Sequence, residues 1–144
     1  MKKIFLIAIA ALTMVGCGKK SEMKQGPWLG VIQIDTADKS MDLPINMNYT
    51  VSAKGVQQMV ITNADETIVI DEITKNGDTL FMKLPVFTSE IVAVFKNDSL
   101  IGKYYPKGVA VGTYYKFYAV AGVIDRFPWY TAEASYNVTG RWKI

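Results

Sequence analysis

The stretch Met41-Asp42-Leu43-Pro44-Ile45-Asn46-Met47-Asn48-Tyr49-Thr50-Val51 has a period of two. Met41, Leu43, Ile45, Met47, Tyr49 and Val51 share one face, and Asp42, Pro44, Asn46, Asn48 and Thr50 share the other. Successive side chains of an extended chain point to opposite sides. The pattern therefore predicts a strand over 41–51 with one face in a core and one in solvent. Pro44 has no N–H to give to a ladder, which predicts an edge position or a break at that point.

Working outward, the same period recurs at the spacing of an all-β domain. Strands are predicted over 28–35, 56–62, 67–73, 79–84, 90–95, 100–105 and 113–121, which with 41–51 makes eight. Lys54-Gly55, Asn63-Ala64-Asp65-Glu66, Asn76-Gly77 and Asn97-Asp98-Ser99 mark the turns, with Asn-Gly favoured because both residues tolerate positive φ. The expected fold is an antiparallel eight-stranded meander that curls into a lipocalin-like barrel or a sandwich. The stretch 122–137 lacks alternation and reads as a long loop over one end of the barrel. Gly140-Arg141-Trp142-Lys143-Ile144 echoes Gly26-Pro27-Trp28-Leu29-Gly30. It reads either as a closing strand pairing with the first, or as the opening of a second module.

The other end of the chain is of a different kind. Met1-Lys2-Lys3 is basic, and 4–15 is apolar except for Thr13. Twelve helical residues span about 18 Å, short of the roughly 30 Å of bilayer hydrocarbon. That length and charge fit a secretory signal. Val15-Gly16-Cys17 follows and resembles the lipobox of bacterial lipoproteins, with Met14 where leucine is usual. The resemblance implies cleavage before Cys17, a diacylglycerol on its sulfur, and a lipid anchor in the bacterial cell envelope. A plain signal peptide with an incidental cysteine is the alternative. The expected organisation is a signal over 1–16, a lipidated tether over 17–26 and a β-domain over 27–144. Lys19 and Lys20 either meet anionic headgroups or are simply solvated. Loss of 1–16 removes Lys2 and Lys3, so 16 basic residues become 14 against 13 acids, near +1.

Composition narrows the chemistry. The chain has 144 residues, half of them hydrophobic, with no histidine and one cysteine. Histidine-based triads, cysteine–histidine pairs, zinc sites and internal disulfides are thereby excluded. No basic stripe interleaved with aromatics points to nucleic acid. Asp65-Glu66 falls in a turn, and Asp71 and Glu72, as neighbours in a strand, would face opposite ways. No catalytic residue, metal or cofactor is expected. The aromatic candidates are Trp28, Tyr104, Tyr105, Tyr115 and Tyr118, read as a platform for a sugar or lipid. The competing reading is tyrosines paired across strands on both faces. A core filled by Met47, Phe81, Ile91 and Phe95 would weigh against a ligand.

The body also resembles the N-terminal β-rich region of thioredoxin-like (TlpA-type) disulfide reductase lipoproteins. The pieces, in order, are Gly26-Pro27-Trp28-Leu29-Gly30-Val31, Leu43-Pro44-Ile45-Asn46, Asp65-Glu66 with Asp71-Glu72-Ile73, Gly77-Asp78-Thr79-Leu80-Phe81-Met82, Leu84-Pro85-Val86-Phe87-Thr88-Ser89-Glu90 and Asn97-Asp98-Ser99-Leu100-Ile101-Gly102. The resemblance implies a C-terminal thioredoxin domain with a C-x-x-C centre as partner. This chain has no second cysteine, so disulfide exchange does not carry over to it. The implied role is a non-catalytic, lipid-anchored accessory or docking module, either a fragment of a longer chain or a stand-alone relative. A lipocalin-like ligand-binding lipoprotein is the alternative.

Overall fold

The computed structural model describes residues 22–37, 39–86, 88–129 and 140. Nine strands make one antiparallel sheet: β1 (Gly26–Asp35), β2 (Ser40–Val51), β3 (Gln57–Asn63), β4 (Glu66–Ile70), β5 (Ile73–Asn76), β6 (Thr79–Lys83), β7 (Glu90–Lys96), β8 (Ser99–Tyr105) and β9 (Tyr115–Ala121). The spatial order is β4-β3-β2-β1-β9-β8-β7-β6-β5. First and last strands are neighbours, so the sheet is a nearly closed, barrel-like ring whose single interruption lies between β4 and β5.

The ninth strand comes from splitting the expected strand 67–73. Every pairing is antiparallel, including β1 with β9. Counting directions around the ring from β1 both ways, β4 and β5 must run the same way. They are two halves of one strand, broken at Asp71-Glu72. The Ile73 amide donates to the Asp71 carbonyl at 3.0 Å, and the Lys83 amide to the Glu72 carbonyl at 3.1 Å. The first half pairs with β3 and the second with β6. The ring is thus eight-stranded in topology, with a corner in its fourth strand.

Three other expectations are refined. The β5–β6 turn is present, but its two loop residues are Gly77-Asp78, with Asn76 paired to Thr79 inside the ladder. Gly77, at φ 60°, takes the positive-φ position. Pro44 lies in an interior strand, yet β3 starts pairing only at Asn46, so Pro44 borders β1 on one side alone. Its missing N–H therefore breaks no ladder. Of the expected loop 122–137, residues 122–129 run against the outer side of β2 and β3, and 130–137 lie outside the described residues. Arg126 donates from Nε to the Pro44 carbonyl at 2.8 Å and from an Nη to Asn63 Oδ1 at 2.8 Å. Residues 141–144 lie outside the described residues, but both flanks of β1 are already taken, by β2 and β9.

Inward positions follow the alternation read from sequence except at the start of β2, where Met41 and Leu43 are exposed and Pro44, expected in solvent, is buried. Trp28, Ile32, Met47, Tyr49, Met59, Ile61, Ile70, Leu80, Met82, Ile91, Phe95, Leu100 and Phe117 are buried together. Burying each such side chain is worth about 1.5–3 kcal/mol against leaving it in water. Phe81 is the exception among the expected core residues. It points outward from β6 and is half-buried, because Leu80 and Met82 take the inward positions. Trp28, 1% exposed, tilts against Phe95 with ring centroids 6.4 Å apart, and its Nε1 donates to the Lys24 carbonyl at 2.8 Å.

Large side chains fit because small ones face them. A Cβ on Gly102 would strike the Val92 carbonyl oxygen and come within 2.5 Å of Ala93 Cα, both backbone atoms of β7. A Cβ on Gly30 would meet Met47 Sδ and, at 2.9 Å, Ile45 Cγ1, both side-chain atoms that can shift more readily than backbone. Gly102→Ala is therefore expected to destabilise by about 1–3 kcal/mol, and Gly30→Ala by clearly less. Denaturant midpoints with an unchanged slope check this ordering; equal costs would contradict it.

Candidate functional site

The five aromatic candidates do not converge. Trp28 belongs to the buried core. Tyr104 and Tyr115 face inward, paired across β8 and β9 with stacked rings 6.5 Å apart. Tyr105 is on the outer wall, its ring 6.1 Å from Tyr114, over which the Lys103 ammonium sits at 3.9 Å. Tyr118 is also outward, paired with Ile101 and Val31. The tyrosines thus pair across strands on both faces, as the second sequence reading had it. Cys17 lies outside the described residues.

Two recesses were not legible from sequence. The first, of 310 Å³, opens at the end of the barrel where β1 begins, lined by Glu22, Met23, Gln25, Tyr49, Gln57 and Lys75 among others. Residues 22–25, expected to be tether, are docked here. Met23 packs against the core, and Gln25 Oε1 accepts from the Val51 amide at 2.9 Å. Tyr49 is 4% exposed yet lines this recess. Burial, and then the Glu22 carboxylate, push its phenol above the ordinary value of 10.0. Lys75 of β5 and Tyr49 of β2 line the same recess although they lie far apart in the chain, which local patterning does not give.

The second recess, of 480 Å³, lies at the corner in the fourth strand, lined by Asp71, Glu72, Lys83, Leu84, Ser89 and Glu90 among others. Because the strand breaks at Asp71-Glu72, the two acids are not held on opposite faces as regular alternation would require. Both line the recess, and Glu72 is bound by Lys83 at 3.3 Å. Beside it Thr88 has φ 46°, and Ser89, 2% exposed, has no hydrogen-bond partner for its hydroxyl. A buried hydroxyl left unpaired is costly, so the loop before β7 is held by its surroundings and not by local preference.

On the outer wall Asp35 accepts from the Ser40 hydroxyl at 2.8 Å and from Lys116 at 3.2 Å. These contacts, Ser40's first, hold its carboxyl below the ordinary value. Among the described residues no three acidic or thiol side chains cluster as a metal site would need.

Comparison with protein families, with curated proteins and with solved structures finds no match.

Tyr49 supplies the test of the mouth geometry. Its neutral form is favoured in the folded chain. The stability it lends is whole below its ordinary value and lost as pH rises through the raised one. Tyr118 is raised for the same first reason, burial. Spectrophotometric titration should show a late tyrosinate component, and Tyr49→Phe should shrink that component alone. Loss of an ordinary-range phenol instead would contradict the burial of Tyr49.

Proposed function

We propose that the protein is a non-catalytic, lipid-anchored β-barrel module of the bacterial cell envelope that works through its outer surface. The observation that carries this reading is the filled interior. Met47, Ile91, Phe95 and Phe117 occupy the space in which a lipocalin-like barrel would hold a ligand. The absence of histidine and of a second cysteine supports a role without nucleophilic or redox chemistry. The apolar run 4–15 followed by Val15-Gly16-Cys17 supports the anchor. The likeness to the β-rich region of thioredoxin-like lipoproteins supports an accessory or docking role beside such a domain.

One observation favours a second reading, binding of a small polar ligand at the barrel mouth. The recess around Tyr49, Gln57 and Lys75 offers polar groups above an apolar floor that includes Leu80. The aromatic platform is no longer part of that reading, since its residues are dispersed.

Mass spectrometry of the mature protein tests the anchor. The expected product begins at Cys17 and carries a diacylglyceryl group on its sulfur. A product that begins before residue 17, or an unmodified Cys17, would contradict it.

A further inference from the structure

The alternation that fills the barrel also fixes what its outside presents. Outward positions of β6–β9 carry Phe81, Val92, Val94, Ile101, Tyr118 and Val120. Val94, Ile101 and Tyr118 are direct cross-strand neighbours, and the row continues through Val31 to Pro44. On the β1–β2 side this row is covered: Val31 is 0% exposed and Pro44 is buried, where Arg126 binds the Pro44 carbonyl. On the β7–β9 side it is open, with Ile101 64% and Val94 46% exposed. Contiguous apolar surface of this kind marks a contact site.

The charge around the open part identifies the occupant. Lys83, Lys96, Lys103 and Lys116 project from the same four strands, against Glu90 on those strands, Asp98 in the β7–β8 turn and Asp42 near Tyr118. Lys83 and Lys116 are paired with Glu72 and Asp35, whereas Lys96 makes no ion pair among the described residues and Lys103 rests on Tyr114. A two-fold contact with a second copy would set these lysines against one another. The same lysines keep the wall from being an embedded barrel surface, since charged groups in mid-wall are costly in hydrocarbon. An apolar strip with a lysine rim and half-exposed tyrosines suits the boundary between headgroups and acyl chains.

We propose that the outer wall formed by β6–β9 rests on an anionic lipid surface, with Val94, Ile101 and Val120 at the acyl boundary and Lys96 and Lys103 on headgroup phosphates. This deepens the envelope reading by giving the module an orientation, but it does not require lipid on Cys17. The two can therefore fail separately.

The test uses the chain from Gly18 onward, which keeps every residue of the barrel and lacks both signal and cysteine. Cosedimentation is measured with vesicles of phosphatidylglycerol and phosphatidylethanolamine, and with phosphatidylcholine alone, at about 0.05 M and about 0.5 M salt. Binding to the anionic vesicles is expected, falling at least tenfold in high salt, and weak binding to phosphatidylcholine. The double substitution Lys96→Glu and Lys103→Glu should lower it at least tenfold, and Ile101→Ser should lower it severalfold. Lys54→Glu, in the β2–β3 turn, should leave it unchanged. Near-ultraviolet circular dichroism confirms that each variant is folded. Equal affinity for both vesicle types, or equal loss from Lys54→Glu, would overturn the proposal. So would the absence of vesicle binding by the folded chain, an outcome that gives the face to an acidic protein instead.

Discussion

β1 lies between β2 and β9, hydrogen-bonded to both, and everything else in the molecule depends on that second pairing. Without it the strands would form an open meander with β1 and β9 as bare edges, a template for pairing with other chains. With it, the inward faces of all the strands converge on one volume, and Trp28 of the first strand meets Phe95 of the seventh. The buried row that results is the main source of stability, because the described ion pairs, Lys83–Glu72 and Lys116–Asp35, are exposed.

Closure imposes a parity condition. An up-and-down ring in which first and last strands pair antiparallel needs an even number of strands. Nine are present, and the fourth strand meets the condition by being one strand in two pieces. The corner at Asp71-Glu72 is compatible with closure because it leaves eight strands in topology. It leaves a recess, and the β6–β7 loop, with Thr88 at positive φ and the unpartnered Ser89, lies beside it.

Much of this was legible in the sequence because a period of two is a local signal. The alternation in 41–51 predicted the inward positions of Ile45, Met47, Tyr49 and Val51, but Met41 and Leu43 at the far end of β2 are exposed and Pro44, expected in solvent, is buried. Gly55 and Asn97-Asp98 marked turns that are where they should be. Pro44 announced a gap in the ladder, although the gap proved to be the end of β3 and not the edge of the sheet. What could not be read was the partner of β1, the break in the fourth strand, and the placing of Tyr49 and Lys75 around one recess. The aromatic platform failed for a related reason. Tyrosine favours strands on either face, so clustering along the chain does not mean clustering in space. The outer-wall strip was readable in principle, since 90–95 has Val92 and Val94 at the positions that should be polar in a half-buried strand.

A packed interior and an uneven exterior together support the proposed role of the outer wall. Covered on β1–β2 and open on β7–β9, the wall is asymmetric in both apolarity and charge. That asymmetry has meaning only if the ring is closed in the stated register. Nuclear Overhauser contacts across β1 and β9 test it most directly. Backbone contacts are expected between Gly30 and Ala119 and between Ile32 and Phe117, with slowly exchanging amides on both strands. Absence of those contacts, with fast exchange along 28–33 on the side away from β2, would contradict it.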